Sequence, residues 1–153
     1  MGAPGAFMSR EIPTSAAWLG ALGVVPFAVF ALSAMLSDVP WVRELMLLAF
    51  VAYSATTLAF LGGVRWGAAL TEPGWRALIL AVTPMLMAVG CLLILPQDAM
   101  RVLALLYAVM GVFDVMRRPA PEWPAWFMQL RARLSGAVVV IHVAFIAAMA
   151  GQA

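Results

Sequence analysis

Arg65 is the residue whose chemistry is hardest to place. It sits in FLGGVRWG, inside an apolar run from Leu45 to Thr71, and is that run's only formal charge. A guanidinium there either snorkels to the headgroups along its own stem or turns inward to meet an acid. Glu72 follows seven residues later, about 10 Å at 1.5 Å per residue, so Arg65 stands near one end of its segment. Asp114 lies at matching depth, three residues before Arg117 in another apolar segment. An Arg65–Asp114 buried ion pair would offset the ~2.5–3.5 kcal/mol that an unpaired Arg costs at a helix centre. It would fix which helices are neighbours more than it would add net stability. Asp114 could instead pair locally with Arg117 or Arg118, leaving Arg65 to an acid of another subunit.

The remaining reactive residue types are sparse. A depth estimate places Thr56, Thr57, Thr83, Tyr107 and His142 near the bilayer midplane, beside Pro26 and Pro84. His142 is the single histidine. It suits an interhelical hydrogen bond, with proton transfer or ligand binding as the alternative. Tyr107, Gly111 and Asp114 share one helical face and could form a polar seam or ordinary interhelical bonds. Cys91 is the one cysteine, so the chain can form no internal disulfide and no cysteine zinc site; it reads as a small core residue. No zinc, haem, serine-triad or phosphate-loop motif occurs. No catalytic residue, metal or cofactor is expected, and the chain is expected not to be an enzyme.

Composition says what must position these groups. Of 153 residues, 65% are hydrophobic and 10% charged, against about 25% charged in soluble domains; mean hydropathy is +1.02. Such a chain belongs in a bilayer. All nine basic residues are Arg, and no basic run exceeds Arg117-Arg118, so the pI near 9.3 is no sign of nucleic-acid binding. A spanning helix needs about 20 apolar residues. Five segments meet or approach that: 16–36, 45–70, 75–95, 99–116 and 134–150. Asp, Pro and Gly punctuate the breaks between them. The expected fold is all-α, a bundle of about five transmembrane helices, residues 16–151, behind a flexible tail, residues 1–15. The first segment reads as a retained span, not a cleaved signal peptide. Arginine counting puts Arg10, Arg76, Arg117, Arg118, Arg131 and Arg133 on one side and Arg43 and Arg101 on the other. That predicts a cytoplasmic N-terminus and a periplasmic C-terminus.

Ala55, Ala59, Gly63 and Gly67 recur every four residues and would form a smooth ridge for a close helix. Gly62 would clear space beside Arg65. A helix with a ridge on one flank and a buried cation on the other must be surrounded, so the second helix is predicted to be central. Residues 123–133 read as a short interfacial amphipathic helix. Trp123, Trp126 and Phe127 would sit at headgroup depth, with Arg131 and Arg133 near phosphates. The same surface could dock a partner subunit.

The blocks WLGALGVVPF, YSATTLAFLGGVRWG, TPML and PAWFMQLRARLS, with Asp114 between the last two, resemble in their order the domain of unknown function 3429 family (transmembrane protein 69-like). Phe127 stands where that pattern has Tyr, and Ser135 where it has Thr. The resemblance implies a multi-span protein of bacterial inner membranes or mitochondria, with no established activity. It draws attention to Gly62, Gly63, Arg65, Trp66, Gly67 and Asp114. Small size and missing motifs suggest a scaffold or accessory subunit of a membrane complex. Its partners would be the lipid bilayer, other membrane subunits or a second copy. A small transporter or channel using the Arg/Asp pair is the alternative.

Overall fold

The computed structural model describes residues 11–71, 74–116 and 123–151. Most of the N-terminal tail, with Arg10, and the loop residues Glu72, Arg117 and Arg118 lie outside them. Five helices form: α1 (Thr14–Leu36), α2 (Pro40–Ala69), α3 (Trp75–Cys91), α4 (Pro96–Met116) and α5 (Ala125–Ala150). Four of them are long and apolar enough to cross a membrane; α3, at 17 residues, is the shorter apolar helix.

Prolines set most of the boundaries. Pro13 and Pro124 stand extended just before α1 and α5. Pro40 and Pro96 open α2 and α4, where a missing N–H costs nothing and φ is already helical. The second and fourth helices therefore begin earlier than the apolar runs at 45 and 99 suggested. Pro96 also shortens the third. Leu92–Leu95 is apolar, but a residue before proline is pushed out of the helical region. The chain turns after Cys91, with the Leu92 amide bonded to the Ala88 carbonyl at 3.3 Å.

The predicted interfacial helix is not a separate element. Residues 125–150 form one continuous helix of 26 residues. No proline follows Pro124 in this stretch, and the single interior Gly136 weakens a helix by only about 1 kcal/mol. The two-segment reading split it at Arg131 and Arg133, taking charge as a sign of surface.

The helices close into a ring in chain order, α1 against α2, α2 against α3, α3 against α4, α4 against α5, and α5 back against α1. Across the ring α2 also packs on α4 and reaches α5 through Phe50, whose ring meets Phe145 edge-on at 5.0 Å. That makes α2 the central helix. Phe27 of α1 completes the core, edge-on to Phe50, Tyr53 and Tyr107. Large apolar side chains such as Trp18, Leu22, Leu48, Phe60 and Val140 point outward, as a lipid solvent permits and water would not.

The small-residue ridge does not behave as its spacing suggested. Ala55 is buried and Ala59 half-buried, but Gly63 and Gly67 are exposed, and a methyl group on either would meet nothing within 4 Å. Four residues advance an α-helix by about 40° beyond one full turn. A strict four-residue stripe thus swings about 120° from Ala55 to Gly67, out of the core and into the lipid face. The buried set Ala55, Leu58, Gly62, Arg65 and Ala69 alternates steps of three and four and stays on one side. Gly62 is the α2 glycine at which another helix comes close. A Cβ there would lie 2.7 Å from the Ala81 carbonyl oxygen and 3.3 Å from Pro84 Cβ. It makes room for α3, not only for Arg65.

Candidate functional site

Three helices deliver charge to one point near the same end of the bundle. Asp114 lies two residues before the end of α4, Arg65 four before the end of α2, and Arg131 six after the start of α5. Arg65 donates from Nη2 to Asp114 Oδ1. Arg131 donates to Oδ2 from Nε at 3.0 Å and from Nη2 at 2.8 Å. All three are buried, with 7%, 2% and 5% of Arg65, Asp114 and Arg131 exposed. One carboxylate between two guanidiniums leaves this cluster with one positive charge. Aromatic faces take up part of the remainder. The Arg65 guanidinium carbon lies 4.8 Å from the Phe113 ring centroid, and that of Arg131 lies 5.4 Å from Trp123 and 5.8 Å from Phe127. Such contacts gain strength once desolvated. Among the described residues, Arg65 Nε is buried without a hydrogen-bond acceptor.

Arg131 is thus a correction. It was expected near phosphates on a surface helix, and it is instead turned into the bundle on Asp114. Trp123, Trp126 and Phe127 are half-buried, packing edge-on to one another around that buried cation. Arg133, two residues along the helix, is exposed.

A second polar layer sits at the centre of the bundle, on the same three helices. Tyr107 of α4 donates its hydroxyl to the Ser54 carbonyl of α2 at 2.8 Å. Ser54 Oγ lies 3.2 Å from Nε2 of His142 on α5, and His142 Nδ1 lies 2.9 Å from the Val138 carbonyl. A carbonyl only accepts, so Nδ1 carries the proton, and Nε2 accepts from the Ser54 hydroxyl. A serine oxygen beside an imidazole nitrogen has the form of a nucleophile and its base. Here both residues are 0% exposed and enclosed by the rings of Phe27, Phe50 and Tyr107. The pair ties α2 to α5.

The expected midplane seam is therefore smaller than its five residues. Thr56 and Thr83 are exposed, and each hydroxyl returns to its own helix, at Ala52 O and Ile79 O, both 2.8 Å away. Thr57 is half-buried. Tyr107 and His142 remain, with Thr57 against the Tyr107 hydroxyl, and they are joined by Ser54, which carries no sequence signal of its own. The missed signal was a spacing. Ser54 and Arg65 are eleven residues apart on α2, and so are Arg131 and His142 on α5. Eleven residues complete about three turns, so each pair shares a face.

Two further spaces border the cluster. A groove of about 460 Å³ runs between α1, α2 and α5, with Arg131 and Ser135 in its lining. A cavity of about 150 Å³ lies between α2, α3 and α4 beside Arg65, walled by Leu80, Pro84, Met87 and Phe113 among others. Among the described residues no three His, Cys, Asp or Glu side chains converge as a metal site would require.

Residues 12–147 match the family model described as "Protein of unknown function (DUF3429)". Transmembrane protein 69 of Xenopus tropicalis is 34% identical over 134 residues, which cover 82% of this chain and 51% of that protein. The chain thus spans about half the length of that curated relative. No solved structure matches it. With four apolar helices of spanning length and a family match from residue 12 to residue 147, the chain is a membrane protein that belongs to the DUF3429 family.

Proposed function

We propose that this protein is a non-enzymatic subunit that scaffolds or assists assembly of a larger membrane complex. One observation carries the reading: the strong polar groups of the interior are engaged with one another. Arg65, Asp114 and Arg131 form one tie, and Ser54, Tyr107 and His142 the other, each linking α2, α4 and α5. A bundle locked this way offers its outer faces and its loops for work, not its interior. A transport reading finds less support. Thr56 and Thr83 return their hydroxyls to their own helices, and among the described residues no chain of polar side chains crosses the bundle.

The setting that fits best is a bacterial inner membrane with the N-terminus in the cytoplasm and the C-terminus in the periplasm. The arginine asymmetry of the loops supports it. Reporter fusions at the two termini would check that orientation, and a periplasmic N-terminus would reverse it. For the function itself, the protein should be purified from its native membrane in mild detergent. Stoichiometric co-purification of another membrane protein is the expected result. A lone monomer, or proton or small-anion flux in reconstituted vesicles, would overturn the reading.

A further inference from the structure

The groove between α1, α2 and α5 is not explained by the two internal ties. Its volume of about 460 Å³ falls within the ~300–1,000 Å³ typical of small-molecule sites. Leu19, Val24, Phe60, Leu61, Leu134 and Val138 supply apolar walls. Gly23 opens the α1 side, where an added methyl group would meet nothing within 4 Å.

Uncommitted polarity in this groove is confined to one end. Four hydroxyls along its length are engaged within the protein: Tyr53 with the Gly23 carbonyl at 2.9 Å, Thr56 with Ala52 O, Tyr107 with Ser54 O, and Thr57 with the Tyr107 hydroxyl. They offer no second donor to a ligand. Arg131 and Ser135, one turn apart on α5, are different. Asp114 takes Nε and Nη2 of Arg131, and Nη1 is not bonded to it. The cluster behind carries one uncompensated positive charge among the described residues. Arg131 lies six residues past Ala125, about 9 Å into α5, within reach of headgroup depth. A long apolar slot with a single cationic end matches an amphiphile with a single anionic head.

We propose that this groove holds one acyl chain of an anionic phospholipid, with its phosphate against Arg131 Nη1 and Ser135. A charge-assisted hydrogen bond from a guanidinium to a phosphate is among the stronger polar contacts available. A zwitterionic lipid brings the same chain but sets a second cation beside the cluster. The inference stands apart from the subunit reading, because it concerns a lipid and not a protein partner.

The test uses the full chain, purified in mild detergent and washed free of loosely held lipid. Native mass spectrometry should find one retained anionic phospholipid. Added phosphatidylglycerol should raise the melting temperature in proportion to binding. Its apparent affinity should exceed that of phosphatidylcholine by about tenfold, because the choline cation sits beside a cluster that already carries positive charge. Gly23→Phe fills the groove without touching Arg65, Asp114 or Arg131, and should abolish both the retained lipid and the difference. Equal responses to the two lipids, a stronger response to oleate, or retention unchanged in Gly23→Phe would each overturn the proposal. Should that variant not yield a monodisperse protein, the two-lipid comparison on the unaltered chain decides alone.

Discussion

Arg131 spends two of its nitrogens on a single oxygen of Asp114, Oδ2, and so leaves Oδ1 to Arg65. The carboxylate is the hub, and the two guanidiniums never compete for one acceptor. Removing the hub strands two buried cations at once, whereas removing either cation leaves the acid with one partner. Loss of one member of a buried pair typically costs about 3–5 kcal/mol. Asp114→Ala is therefore expected to lower the melting temperature more than Arg65→Ala or Arg131→Ala. The Arg65→Ala/Asp114→Ala double variant should lose less than the sum of the singles. Thermal denaturation in detergent measures all four, and strict additivity would mean the two groups do not touch.

Glycines one residue apart on α2 should respond in opposite ways. Gly62→Ala drives a methyl into the Ala81 carbonyl, which is backbone and cannot swing aside, so α2 and α3 must part at about 1–3 kcal/mol. Gly63→Ala and Gly67→Ala add a methyl in open space and gain up to about 1 kcal/mol of helix propensity. Melting curves of the three variants should separate in that order. Equal losses at Gly62 and Gly63 would contradict the α2–α3 packing.

The central tie predicts a smaller, sharper effect. Ser54→Ala leaves His142 Nε2 buried without its donor, at about 1–3 kcal/mol. His142→Phe in that background removes the orphaned nitrogen and should recover part of the loss. A double variant as unstable as the sum of its parts would show that the serine and histidine act independently.

Phe50 and Phe60 offer a control for the bilayer as solvent. Phe50 is fully buried among Phe27, His142 and Phe145, and Phe50→Ala should cost about 3–5 kcal/mol through the cavity left behind. Phe60 faces outward, and Phe60→Ala should stay within about 0.5 kcal/mol. Reversed magnitudes would mean the helix is rotated.

The helical class, the central second helix and the depth match of Arg65 with Asp114 were all legible in the sequence. The first and last follow from where apolar runs start and stop; the central helix follows from its buried cation, since the Gly63–Gly67 end of the ridge that also argued for it faces outward. Arg131 was not, because a charge near the start of an apolar run reads equally as surface anchor or buried partner. Only the third dimension, which sets α5 against Asp114 of α4, separates the two. Ser54 was passed over for a related reason. A lone serine in an apolar run carries no signal until its face is compared with that of Arg65. A glycine stripe spaced by four is not a straight line on a helix: it drifts about 40° per step, whereas the alternating three-and-four steps that keep to one face run through Gly62.

Arg65 precedes its acid by 49 residues, and that interval has a consequence for biogenesis. When α2 leaves the ribosome, α4 has yet to emerge. The cation must wait in the translocon or at the lipid boundary until α3 and α4 arrive. Arg131 faces no such delay, since its acceptor is inserted first. A nascent chain stopped after α3 should consequently integrate poorly or be degraded, and one extended through α4 should be retained. Protease protection of the two truncated products would reveal the difference.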